Sequence, residues 1–155
     1  MHKLPKSKLI KSRDEAIVEL CRGKNVLHLG FVDEGLMYER IQMGDYLHRK
    51  LAKVANTLVG IDISEAGVKK AQNLGFSFCF VCDVQKLNQL YIPFEKSFFE
   101  VILAAEIIEH LPNPGLFLKE LYEFVNENTE IIITTPNALS IKTLFFPLAK
   151  VEVVH

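Results

Sequence analysis

Two runs of the chain decide its fold: Asn25-Val26-Leu27-His28-Leu29-Gly30 and, further on, Thr57-Leu58-Val59-Gly60-Ile61-Asp62. Each is an apolar stretch of strand length that ends on a residue suited to a tight turn, which reads as a buried strand leaving a sheet. After the second run, Ser64 is placed to cap a helix carrying Ala66, Val68, Ala71 and Leu74, with Gly75 as its stop. Phe76 to Cys82 is then a third strand, followed by Asp83. Beyond a loop with Pro93, Phe98 to Ala105 is apolar enough for a strand buried on both faces, and Glu106 stands at its carboxyl end. Leu116, Leu118, Leu121, Tyr122 and Val125 mark a helix, and Glu130-Ile131-Ile132-Ile133-Thr134-Thr135 is a fifth strand stopped by Pro136.

Upstream of the first run, Ser12 and Glu15 have capping-box spacing, Ala16, Ile17 and Leu20 supply an apolar stripe, and Gly23 offers a stop. Between the two runs, Phe31 to Tyr46 mixes acids, glycines and scattered apolar residues, and is predicted as loop. Helix begins where Leu47, Leu51 and Val54 take helical spacing. Strands alternating with amphipathic stretches predict an α/β fold, a mostly parallel sheet with helices on both faces.

With 155 residues, 49% of them hydrophobic, the chain has enough material for one packed domain, 1–155, with 1–24 as a helical lead-in. Lys and Arg number 18 against 19 Asp and Glu, so no global field draws it to nucleic acid or an anionic membrane. The exception is the start, where Lys3, Lys6, Lys8, Lys11 and Arg13 read as a solvated tail or first helix, with a phosphate-contacting arm as the alternative. No stretch has the ~20 apolar residues of a membrane span, and the start lacks a signal-peptide core, so a cytoplasmic location is expected. Cys21, Cys79 and Cys82 are an odd set without a second Cys pair, and read as buried structural thiols.

In an open α/β sheet, ligands lie beyond the carboxyl ends of the strands. Here those ends carry Gly30, Asp62, Asp83 and Glu106. A small residue lets backbone approach a ligand, and carboxylates accept hydrogen bonds from ribose hydroxyls and an amino group. That is the outline of a nucleoside site.

Four ordered segments, VLHLG, LVGIDIS, FVCDV and FEVILAAEIIEHLPNPGLFLKEL, together with ITTPN at the fifth strand, resemble the class I S-adenosylmethionine-dependent methyltransferases over roughly residues 25 to 140. The last two segments are similar to the subgroup that includes ubiquinone-biosynthesis O-methyltransferases and many small-molecule, lipid and glycan methyltransferases. The resemblance implies a Rossmann-like sheet in the order 3-2-1-4-5, with the family's last two strands missing or incomplete here. It implies S-adenosylmethionine as cofactor. It puts Gly30 and its neighbours His28, Leu29 and Phe31 against the methionine part, and Asp62, with Ile63 beside it, on the ribose hydroxyls. Asp83 and Val84 fall at the adenine, and Glu106 and Ile107 at the floor near the sulfur. The acceptor it implies is a small molecule, lipid or glycan, methylated at oxygen, with no nucleic-acid partner.

The sequence departs from the family in having His28 where an acid is usual, and Val32 and Glu34 where a second and third glycine are usual. The interval from Gly30 to Asp62 is also longer, which implies an enlarged first loop and helix; Asp33 or Glu34 offers a compensating carboxylate. Glu106, Glu109 and His110 stand at i, i+3 and i+4, and share a face if a helix begins at Glu106. Similar ExxEH residues bind metal in some small-RNA methyltransferases, but a site needs further ligands and none is assigned here. His110 is the candidate general base toward the acceptor.

Two rivals stand beside this reading. A nicotinamide-dependent oxidoreductase needs G-x-G-x-x-G, and Gly30-Phe31-Val32-Asp33-Glu34-Gly35 lacks the middle glycine. A non-catalytic relative would keep the fold for binding alone. The segment 142–155 looks incomplete, and Leu144, Phe145, Phe146 and Leu148 are expected to be covered by residues that follow, to form an acceptor-side lid, or to self-associate.

Overall fold

The computed structural model describes residues 12–136; the lysine-rich start and the segment 142–155 lie outside them. Helix α1 (Arg13–Leu20) begins at Ser12, whose hydroxyl accepts the Glu15 N–H as the capping spacing predicts. It leads into β1 (Asn25–Leu29), then α2 (Met37–Met43), α3 (Leu47–Ala52), β2 (Thr57–Asp62) and α4 (Glu65–Asn73). Then follow β3 (Cys79–Val81), β4 (Val101–Ala105), α5 (Pro114–Tyr122) and β5 (Glu130–Thr134).

The five strands form one sheet in the order β3-β2-β1-β4-β5, with every pairing parallel. This is the Rossmann-like order expected. Alternate residues of β1 and β4 face opposite layers. Val26, Val101 and Leu103 pack with Ile17 and Cys21 near α1 and with Leu47 and Leu51 of α3. Leu27, Leu29, Ile102 and Ala104 pack with Phe117 and Leu121 of α5 and with Phe124. Burying each such large side chain is worth ~1.5–3 kcal/mol, so both layers are held mainly by these central strands. On β5, Ile131 and Ile133 remain 42% and 38% exposed.

Three expectations need correction. Part of the segment predicted as loop is α2: Met37 and Ile41, one turn apart, pack with Phe31, Tyr46 and Val68, and Gly44 closes the helix at φ 73°. The third and fourth strands start later than predicted, at Cys79 and Val101, the fourth because Phe98 belongs to a single 3-10 turn (Lys96–Phe98) whose Phe98 N–H bonds Glu95 O. No helix begins at Glu106. That residue has φ 53°, its N–H still bonds Thr134 O on β5, and only one 3-10 turn, Ile108–His110, precedes α5.

A buried polar chain crosses the sheet beneath α3. His28 on β1 is opposite Gly60 on β2, which is opposite Cys79 on β3. Gly60 leaves the gap that the His48 ring of α3 fills; a Cβ there would come within 2.9 Å of His48 Cε1. His48 Nδ1 lies 3.1 Å from His28 Nδ1, and its Nε2 lies 3.7 Å from Cys79 Sγ. One Nδ1 must donate and the other accept, so a neutral pair satisfies the contact and a doubly protonated one cannot. Burial pushes His28 down to about 3, against a smaller opposing effect of Asp14. Burial, with His28 next to it, also holds His48 well below its ordinary value. Cys79 is buried and its thiol is pushed up to about 12, as expected of a structural cysteine.

Candidate functional site

A cavity of about 620 Å³ opens at the carboxyl ends of the strands, a volume that suits a drug-sized ligand. It is lined by His28, Gly30, Phe31, Asp62, Ile63, Asp83, Val84, Glu106, Ile107 and His110, so ten of the sequence-predicted residues converge on one space. Leu29 does not join them: it is 0% exposed and belongs to the core under α5.

Gly30 forms the floor where β1 ends. Its φ is 64°, its N–H bonds Ile61 O at 2.8 Å, and a Cβ would stand 2.7 Å from Ile107 Cδ1. Glycine therefore meets both demands, a left-handed backbone and no side chain. Asp62 is 7% exposed, with Oδ2 accepting the Val32 N–H and Oδ1 the Ser64 N–H, each at 2.9 Å. A carboxylate has about four acceptor positions, so two remain after these bonds. Burial raises its pKa above the usual carboxylate value, while the two N–H bonds act in the opposite direction. Asp83 sits just past β3 and accepts the Gln85 N–H at 2.9 Å, capping the 3-10 turn Val84–Gln89 that buries Val84.

The opposite wall is the segment after β4. Positive φ in a non-glycine residue typically costs ~1–3 kcal/mol, and Glu106 carries it where the backbone turns from β4 into the cavity wall. Glu109 and His110 line the same wall, reaching it through the 3-10 turn instead of a helix face.

Sequence reasoning missed several lining residues. Arg13, at the start of α1, ion-pairs with Glu106 across ninety-three positions of chain. Arg40 of α2 pairs with Asp33 at 2.8 Å, and the Tyr46 hydroxyl donates to Phe31 O at 3.0 Å. All three depend on how α1 and the α2–α3 segment dock, and no local pattern signals that. Against the two cations Arg13 and Arg40, the cavity is lined by six acids, Asp33, Glu34, Asp62, Asp83, Glu106 and Glu109.

A family model described as a methyltransferase domain matches residues 43–133, more than half of the chain. The chain belongs to the methyltransferase-domain family. The cofactor of this family is S-adenosylmethionine. Among curated proteins, the domain is similar to the ubiquinone biosynthesis O-methyltransferase of Azorhizobium caulinodans, 30% identical over 94 residues that cover 61% of this chain and 37% of that protein. Among solved structures it is similar to a SAM-dependent methyltransferase from Thermotoga maritima, with TM-score 0.60 and 17% identity over 88% of this chain and 56% of that one. A SAM-dependent methyltransferase from Aquifex aeolicus gives TM-score 0.55 and 22% identity over 78% and 62%. At such identities the structural likeness establishes the fold. This methyltransferase domain spans less than two thirds of the length of each of these relatives. Among the described residues, no helix is long and apolar enough to cross a membrane.

Proposed function

We propose that this domain binds S-adenosylmethionine in the cavity at the strand ends and transfers its methyl group to a hydroxyl of a small-molecule, lipid or glycan acceptor. The observation that carries the reading is the pairing of Asp62 and Asp83, carboxylates at the ends of adjacent strands, with the bare backbone of Gly30 in one cavity. In this reading the free acceptor positions of Asp62 take the ribose hydroxyls. Asp83 takes the adenine amino group, with Val84 packing on the ring, while Gly30, Phe31 and His28 border the methionine part. Arg13 faces the methionine carboxylate, and exchanges Glu106 for it. The acid excess around the cavity suits a ligand that carries a sulfonium and an ammonium.

When bound, the sulfonium supplies an activated methyl group to an in-line nucleophile. What the protein adds is position, and held geometry is worth several kcal/mol of barrier. Glu106 and Ile107 bound the space beside the methyl group, and the acceptor enters past Glu109 and His110. His110 accepts the proton released by the hydroxyl. The likeness to a ubiquinone biosynthesis O-methyltransferase supports oxygen as the methylated atom.

Calorimetric titration with S-adenosylhomocysteine and with NAD⁺ in parallel tests the cofactor. Saturable binding of the first and none of the second is expected, because Val32 stands where a dinucleotide's pyrophosphate needs glycine. The reverse result sinks the proposal.

A further inference from the structure

The loop that follows β1, Gly30 to Gly35, is tied at three places to the end of β2 and the start of α4. The Val32 N–H donates to Asp62 Oδ2 at 2.9 Å. The Ser64 hydroxyl, which also caps α4 by accepting the Gly67 N–H at 3.2 Å, donates to Glu34 Oε1 at 3.0 Å. Between these polar ties, the Val32 side chain lies against Gly67 in the first turn of α4. A Cβ at Gly67 would come within 2.9 Å of Val32 Cγ2 and closer still to Cγ1. Gly67 is buried and has no positive φ, so its backbone does not require glycine; the space required by Val32 does. Helix propensity alone would favour alanine at this position.

The consequence reaches the cavity, which Val32 and Asp62 both line. A shift of Val32 away from α4 moves its N–H off Asp62 and carries the adjoining Gly30–Phe31 backbone with it. The two halves of the site, strand-end backbone at β1 and carboxylate at β2, therefore meet at Val32, whose N–H bonds Asp62 and whose side chain rests on Gly67.

We propose that Val32 and Gly67 form a steric lock that holds the β1–α2 loop on α4 and so sets the placement of the Gly30 backbone and the Asp62 carboxylate toward the nucleoside. Both are positioning residues, and the inference rests on the cofactor reading above. The lock explains how a loop with a bulky residue at its third position keeps a defined approach to the site: the missing volume is taken from the helix instead of from the loop.

The test is a two-by-two comparison of the parent, Gly67→Ala, Val32→Ala and the double variant, each titrated with S-adenosylhomocysteine and melted without ligand. Gly67→Ala should weaken binding about tenfold or more, since overfilled contacts force backbone to move. Val32→Ala, which empties the contact, should itself weaken binding by about threefold or more, and joining it to Gly67→Ala, whose methyl refills that space, should bind more tightly than Gly67→Ala alone. A Gly67 that serves only the helix predicts the opposite, an Ala variant that melts higher and binds as the parent does, and that result overturns the lock. If Gly67→Ala alone fails to fold, a double variant that folds and binds supports the lock, and one that folds without binding overturns it. Val32→Ile, which overfills the same contact from the loop side, should weaken binding in parallel, and parent-like affinity counts against the proposal. A parent that binds no S-adenosylhomocysteine refutes the cofactor reading itself, and is thereby told apart from failure of the lock.

Discussion

His110→Asn in the full-length protein is expected to lower methyl transfer by ~10²–10⁴-fold, the usual worth of general-base assistance, while cofactor affinity and melting temperature stay near the parent's. The reasoning is positional. His110 ends the 3-10 turn Ile108–His110, its backbone N–H bonds Ile107 O at 3.0 Å, and its exposed side chain lines the cavity on the wall shared with Glu106 and Glu109. Asparagine keeps a polar side chain of similar reach but cannot take up a proton, so the substitution separates proton transfer from packing. Single-turnover rates with saturating cofactor are the measurement. A parent-like rate removes His110 from the chemistry and leaves the cofactor site untouched.

Acid should destabilise the fold well before its carboxylates protonate. His28 and His48 are held neutral by burial, with His28 pushed down to about 3 and His48 well below its ordinary value. Above pH ~6.5 both are neutral whether folded or unfolded, and they add no pH dependence. Below it the unfolded chain binds protons that the folded chain refuses, so stability falls with pH and continues to fall toward the depressed folded value. Each such imidazole costs ~1.4 kcal/mol over the first pH unit, giving about 2–3 kcal/mol for the pair between pH 7.5 and 5.5. Asp14, lowered by Lys50 and Arg13 against the effect of its own burial, adds loss in the same direction at lower pH. Asp62, raised by burial, acts in the opposite direction, near the carboxylate range. Urea unfolding at the two pH values measures the difference. Equal stability would mean that the pair is hydrated or already protonated at neutral pH.

Much of the fold is legible in the sequence because it is written in local period and punctuation. Apolar runs ending at Gly30, Asp62, Asp83 and Glu106 mark strand ends, and parallel strands put those ends on one side of the sheet. Ser12 and Ser64 announce their helices because a cap is a three-residue signal, and both hydroxyls make the bonds expected. Helix α2 is harder to see: acids and glycines around Met37 and Ile41 break a two-turn pattern too short to stand out. The left-handed Glu106 is invisible to periodicity, since helix propensity favours continuing from β4 into a helix and the bond to Thr134 O overrides it.

The candidate site divides the same way. Its carboxylates and glycine belong to strand ends and can be read in order along the chain. Arg13 against Glu106, Tyr46 against Phe31 O, and His48 against His28 join residues that only tertiary packing brings together. His28 shows this most clearly. Its sequence position suggests a departure within the cofactor loop, and it does line the cavity, but 2% exposure and the His48 contact make it part of a buried chain under α3 as well.

The central claim is that the acidic strand ends bind the nucleoside, and calorimetric titration of S-adenosylhomocysteine into the parent and Asp62→Ala tests it most directly. Removing a charged, doubly accepting group should cost ~1.5–3 kcal/mol of binding, about 10- to 150-fold in Kd, measured at a temperature where both proteins are folded. Equal affinity in the two proteins would contradict the account, because the proposed placement has the ribose hydroxyls held by the two acceptor positions that Asp62 leaves free.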